Sequence, residues 1–165
     1  MTPNEYLEET RARLRRDGNE VAEVEFPDGP VVVGTQSKFR LRWLATKLHL
    51  FTVVACEPNA TAELLARLTD DSLIYAVGMK GSFQGLGSGV GVIPALVSEH
   101  VLPDARQLAE RRPAKHFAAF ALPIVIDLSG DATYSYAGQI WGSMAYLPWA
   151  RKRIAATLPP PTAQS

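Results

Sequence analysis

Cysteine is almost absent from this chain, and so is any excess of charge of one sign. Cys56 is the only cysteine among 165 residues, so no disulfide can form within the chain. The 17 Lys and Arg balance the 17 Asp and Glu, so no overall field draws the protein to nucleic acid or an anionic membrane. Because no signal-peptide pattern follows Met1, we expect a protein of the reducing cytoplasm.

Long apolar runs and the spacings of known sites are also missing. The longest apolar run, 117–126, contains Pro123 and is much shorter than the ~20 residues of a membrane-spanning helix. Neither Cys-x-x-Cys nor His-x-x-x-His occurs, so we expect no metal site. No phosphate-loop, dinucleotide or hydrolase fingerprint is present, so we expect no cofactor, and whether the protein is an enzyme stays open.

The composition that remains is that of a globular protein. Apolar residues make up 47% of the chain and charged residues 21%, which is enough to build one packed core. The length suits a single domain. We therefore expect one α+β domain over residues 1–158, followed by a disordered proline-rich tail over residues 159–165.

The first third of the chain predicts a helix and then antiparallel strands. Thr2-Pro3-Asn4-Glu5 has the spacing of a capping box and Gly18 suits a helix end, so a helix is predicted over about 3–16. Alternating side chains over 21–26, the turn residues 27–30 and the apolar residues 31–33 predict a hairpin. Alternation over 38–43 also fits a helical stripe, but we favour a strand that joins 49–56 in an antiparallel meander.

The rest of the chain mixes helical and strand patterns. Apolar residues three and four apart predict a helix over about 60–79, with Asn59 as its N-cap. The remaining predicted elements are a strand at 92–97, a helix around 104–112, an almost continuous apolar run over 116–127 that is typical of a central strand, a turn at 129–131, a strand at 133–136 and a helix around 149–158. We expect a mostly antiparallel or mixed sheet of about six strands, with the helices packed largely on one face.

Glycine is concentrated in one segment, 81–91, which holds five of the 12 glycines. Backbone N–H groups exposed by glycine can cradle an anion, with a lysine and hydroxyls supplying further contacts. The candidate ligand-binding residues are Lys80, Ser82, Gly85, Gly87, Ser88 and Gly89. The alternative, which we favour, is packing: on a strand every second residue shares a face, so these glycines and Gly91 would form a flat surface under another element.

Other chemically interesting residues have simpler interpretations. Cys56 lies in an apolar run and is expected to be a small buried hydrophobe, since no histidine is positioned to activate it. Acidic and basic groups at 70–71 and 38–42 are expected to lie on solvent faces. The aromatic residues near Arg151 are expected to be core or oligomer contacts rather than stacking or membrane anchors, namely Trp141, Tyr146 and Trp149.

These observations favour a noncatalytic role. We expect a protein-interaction or homo-oligomeric domain with no membrane and no nucleic-acid partner. The alternative is an enzyme or a small-ligand protein that binds an anion at 80–91.

Overall fold

The computed structural model describes residues 1–40, 46–80, 88–114, 119–139 and 146–164. These residues form four α-helices and a mixed sheet, which confirms the predicted single-domain α+β fold. The elements, in chain order, are α1 (Pro3–Arg16), β1 (Glu20–Phe26), β2 (Gly29–Arg40), β3 (Thr46–Cys56), β4 (Asn59–Ala60), α2 (Ala62–Lys80), β5 (Ser88–Ser98), β6 (His100–Val101), α3 (Pro103–Glu110), β7 (Ala119–Ala121), β8 (Ile124–Asp127), β9 (Ala132–Ser135) and α4 (Leu147–Thr157). Within these ranges, no helix is both long and apolar enough to cross a membrane.

The predicted helix start and hairpin are confirmed. Glu5 N donates to Thr2 Oγ1 (3.3 Å) and Thr2 N donates to Glu5 Oε2 (2.7 Å), which is the reciprocal capping box. After α1, Gly18 adopts a φ of +85°, a conformation that suits glycine. In the hairpin, Phe26 pairs with Gly29 across the turn, and β2 then pairs antiparallel with β3, as the meander requires.

Beyond the meander the sheet becomes parallel. The chain leaves β3 and returns through α2 to β5, which lies parallel to β3. A second return, through α3, brings β7 and β8 parallel to β5, and β9 closes the sheet antiparallel to β8. The strand order is β1-β2-β3-β5-β8-β9, with β7 also beside β5. The sheet is therefore of the mixed kind.

The central strand predicted over 116–127 is divided in the structure. Residues 119–121 and 124–127 form two short strands, β7 and β8, which both pair with β5, and 116–118 lie outside the described residues. Leu122 N still donates to Val92 O (2.9 Å), but Pro123 has no N–H to continue the ladder. Pro94 of β5 lacks a donor at nearly the same height. The ladder is interrupted where both strands carry proline.

The helices do not lie largely on one face, which corrects the second part of the fold prediction. α1 and α4 pack on the face that carries Leu50 and Val54, whereas α2 and α3 pack on the opposite face, which carries Phe51 and Val53. The central strands β3 and β5 are apolar on both sides, so each face must be covered to keep it from water. Two helices on each face meet that need.

The N-cap of α2 is also corrected. Asn59 does not cap the helix because it lies in β4, where it pairs with His100 of β6. Thr61 takes the capping role, since Leu64 N donates to its Oγ1 (3.2 Å). The first turn is also held from outside the helix: Ala62 N donates to Asp104 Oδ2 (3.2 Å), and Asp104 Oδ1 accepts from Ala105 N (2.8 Å) in α3.

The tail contacts the domain at two points. Tyr6 of α1 is buried and its hydroxyl donates to Pro159 O (2.8 Å). Thr162 N donates to Asp131 Oδ1 (2.6 Å), next to a single 3₁₀ turn at Pro161–Gln164. Disorder of the tail in solution stays a prediction.

Candidate functional site

The residues predicted to bind an anion lie around the junction between α2 and β5. Lys80 is the last residue of α2, and Ser88 and Gly89 are the first two residues of β5. Ser82, Gly85 and Gly87 lie outside the described residues. The described part of the chain therefore shows the flanks of the predicted site but does not bring its members together.

The direction of α2 bears on the chemistry of this junction. Helix N-termini expose N–H groups and attract anions, whereas C-termini expose carbonyl oxygens and carry partial negative charge. α2 reaches the junction with its C-terminus, at Lys80, and a strand follows. A phosphate loop has the reverse order, with a strand before the glycines and a helix N-terminus after them. The helix dipole here opposes an anion.

Packing accounts for the one glycine of the segment that is fully buried within the described residues. Gly91 of β5 pairs with Phe120 of β7, and the Phe120 ring lies directly over the glycine. A Cβ on Gly91 would lie 2.7 Å from Phe120 Cε1, which is closer than real Cβ atoms approach a neighbour. Gly91 therefore leaves room for the ring, as the packing interpretation of the alternate glycines predicts.

Cys56 is half-buried at the end of β3, and its environment makes it a poor nucleophile. Burial raises the pKa of the thiol from 9.0 to about 11, and the neighbouring Glu57 carboxylate adds to the effect. The Sγ atom lies 3.6 Å from Pro3 O, to which the thiol donates. The group is therefore held as a neutral thiol near neutral pH.

The remaining sequence candidates are distributed as surface and core. Lys38 is exposed, in agreement with the solvent-face prediction, and Asp70 is exposed on α2. Trp149 is buried between α4 and the sheet, in agreement with a core role, while Trp141 lies outside the described residues. Asp71 differs from the prediction, because it is half-buried and faces a cleft.

That cleft lies at the carboxyl ends of β3 and β5, and we call it the carboxyl-edge cleft. It has a volume of about 230 Å³ and is bounded by the first turn of α1, the β1–β2 turn, the end of β3 and the N-terminal half of α2. Its apolar wall includes Leu7, Phe26, Leu64, Leu68 and Leu96. In sheets with parallel strands and returning helices, the carboxyl ends of the strands are where ligands bind most often.

The polar groups of the cleft are mainly acidic. Asp28, Glu57 and Asp71 all line it, and none of the described lining residues is basic. Asp28 is paired with Arg67, whose Nε lies 2.8 Å from Asp28 Oδ2. Arg67 also contacts Glu63 on the outside of α2, at 2.6 Å. Glu57 and Asp71 are thus the carboxylates that give the cleft its net negative charge.

A second unusual surface lies on the outer side of the same helix. Ile74 is 71% exposed and Val77 is 53% exposed, although both are large apolar residues. Gly78 is one turn after Ile74, so the two are neighbours on the helix surface. Among the described residues, and leaving out its chain neighbours and its own helix backbone, no atom lies within 4 Å of a Cβ built on Gly78. We call Ile74, Val77 and Gly78 the outer patch of α2.

Sequence reasoning missed both features for identifiable reasons. Glu57 directly follows a buried strand and precedes a helix, which is a local signal for a group at a strand's carboxyl end. Asp71 joins it through the packing of α2 on the sheet and Phe26 through the pairing of β1, β2 and β3, and neither is visible in the residues around Glu57. Ile74 and Val77 lie outside the predicted apolar stripe of α2, which includes Leu68, and scattered apolar residues on the other side of a helix are no signal of a second surface.

No protein-family model, curated protein or solved structure matches this chain. The class of protein is therefore defined by its fold, a mixed sheet with two helices on each face, and by these two surfaces of α2.

Proposed function

We propose that this protein is a noncatalytic homo-oligomeric domain of the cytoplasm, whose copies associate through the outer patch of α2. The observation that carries the proposal is the 71% exposure of Ile74 next to the open position at Gly78. Exposed apolar residues that are contiguous mark interaction sites, whereas single exposed apolar residues are common on any surface.

The patch is complementary to itself. Ile74 is a projecting side chain and Gly78, four residues later, is a depression on the same helix face. Two copies of α2 can pack antiparallel about a twofold axis that crosses the outer patch midway between residues 74 and 78. Ile74 of each copy then lies over Gly78 of the partner subunit. Such an interface is isologous, since the same two residues meet twice, and it closes at two copies. This geometry supports a second copy of the chain as the occupant.

The alternative function, an anion-binding protein or enzyme that uses residues 80–91, has less support. The C-terminus of α2 presents carbonyl oxygens to that segment, and Gly91 is explained by the Phe120 ring. No comparable objection applies to the outer patch. The three residues of the patch are few beside the ~800 Å² per partner of a standard interface. We therefore expect weak association, with a dissociation constant in the micromolar range.

The experiment is to compare Ile74→Asp with the wild type by sedimentation velocity over roughly 1–200 μM, a range that brackets the expected affinity. The wild type should pass from monomer to dimer, and Ile74→Asp should remain a monomer, because a buried unpaired charge would face the partner. Leu102→Asp is the matched control, since Leu102 is also apolar and exposed but lies before α3. A monomeric wild type, or an Ile74→Asp variant that still dimerises, would reject the proposal.

A further inference from the structure

The carboxyl-edge cleft combines an apolar wall with uncompensated negative charge. We propose that it binds a small organic amine, whose hydrocarbon body contacts Phe26, Leu64 and Leu68 while its ammonium group lies near Glu57 and Asp71. This inference does not depend on the proposed oligomer.

The apolar wall favours a ligand that carries a hydrocarbon group. Leu64 and Leu68 are one turn apart on the inner side of α2, and Phe26 is the last residue of β1, across the cleft. A bare metal ion or an ammonium ion would leave this surface without a partner, whereas a hydrocarbon group removes it from water. At about 230 Å³ the cleft is smaller than the ~300–1,000 Å³ of pockets for drug-sized ligands, so the ligand is small.

The carboxylates determine the charge of the ligand. Arg67 neutralises Asp28, but no described ion pair engages Glu57 or Asp71. Both are half-buried at the end of the sheet, where the attraction of a cation is screened less than on an open surface. The raised pKa of Cys56 keeps the thiol neutral, so it offers a weak hydrogen bond without adding charge.

The two helix N-termini at this edge do not reverse the preference of the cleft for a cation. α2 and α3 both begin here, and their free N–H groups would ordinarily attract an anion. Asp104 already occupies that position, since its carboxylate accepts from Ala62 N and Ala105 N. The N–H groups of Ala62 and Ala105 therefore already have a carboxylate partner and offer no free site to an anion.

The amine site and the outer patch lie on different sides of α2. Leu64, Leu68 and Asp71 line the cleft, whereas Ile74 and Gly78 face away from the core. The monomeric variant Ile74→Asp should therefore bind an amine as the wild type does, which separates failure of this inference from failure of the proposed oligomer.

The probe is 2-phenylethylamine, titrated into ¹⁵N-labelled protein at low salt and followed by NMR. Its neutral analogue of the same shape is 2-phenylethanol, and phenylacetate is the anionic comparison. We expect the amine to bind about tenfold more tightly than the alcohol, because two partly screened ion pairs each contribute a few-fold. Shifts should appear at the backbone amides around Glu57 and Leu68, and phenylacetate should cause none.

The matched variants isolate the charge. Glu57→Gln with Asp71→Asn keeps the shape of the cleft and should remove the preference for the amine over the alcohol. Asp70→Asn removes a neighbouring acid that does not line the cleft, and it should leave the preference unchanged. Equal affinity for amine and alcohol, absence of shifts at millimolar amine, or an equal loss in Asp70→Asn would each overturn the inference.

Discussion

The two ends of the parallel strands β3 and β5 meet opposite ends of the same helix. At their amino ends α2 terminates with its carbonyl groups, and Gly91 lies under the Phe120 ring. At their carboxyl ends α2 and α3 begin, and a cleft lies beside the end of β3. The glycine-rich segment drew attention to the first end, yet the cleft lies at the second. Helix direction, more than residue type, decides what each end can bind.

The largest predicted effect is on the reactivity of Cys56, at the carboxyl end of β3. With its pKa raised from 9.0 to about 11, the fraction of reactive thiolate at pH 8 falls about a hundredfold. Iodoacetamide should therefore label the native protein roughly a hundred times more slowly than the same chain unfolded in urea. Similar rates in the two states would contradict the raised pKa and leave the thiol free to react with ligands in the cleft.

The same shift predicts a dependence of stability on pH. A pKa that is higher in the folded protein favours folding below pH 9, where the thiol is protonated in both states, and the contribution is lost as pH rises from 9 towards 11. Cys56→Ala should therefore lose less stability than the wild type over this interval, as measured by urea unfolding. If the free energy of unfolding falls equally with pH in the two proteins, the pKa of Cys56 is not raised by folding.

Gly91 tests packing at the amino end. Gly91→Val should lower the free energy of unfolding by roughly 1–3 kcal/mol, because its side chain would overlap the Phe120 ring. The effect should shrink in a Phe120→Leu background, where a smaller side chain leaves space. Urea unfolding of the four proteins gives the coupling energy. If Gly91→Val costs the same in both backgrounds, the ring is not the reason for glycine here.

Lys80 should give the smallest effect. Lys80→Ala should unfold within about 0.5 kcal/mol of the wild type, because a lysine is rarely part of a packed core. Phosphate and ATP at millimolar concentration should not raise the melting temperature of either protein, because the C-terminus of α2 opposes an anion. A ligand-dependent rise in the wild type that disappears in Lys80→Ala would restore the glycine-rich segment as the functional site.

The parts of the fold that the sequence predicted correctly are those that depend on neighbouring residues. The capping box at Thr2 and Glu5 and the turn before Gly29 are set by local backbone preferences. Asn59 was misjudged because its partner, His100, is distant in sequence, and a short parallel pairing outweighed its capping preference. The division of helices between two faces likewise depends on which strands pair, which no local pattern reveals.

The candidate site was less predictable than the fold. Glu57 is marked by its place after a buried strand, but Asp71 joins it only because α2 returns antiparallel to β3. The sequence neighbours of Asp71 predict nothing more than solvated charge. Ile74 lies outside the apolar stripe that packs on the sheet, and its exposure follows from which side of α2 faces the sheet. Neither surface can be predicted from residue types alone, because each depends on how α2 is oriented against the sheet.

Asp104 also constrains the order in which the chain can fold. The first free N–H of α2, at Ala62, donates its hydrogen bond to a carboxylate 42 residues away in α3. The first turn of α2 is thus completed only when α3 has docked on the same face of the sheet. This hydrogen bond is lost when α2 and α3 separate, so the amide proton of Ala62 reports the opening between the two helices in hydrogen exchange.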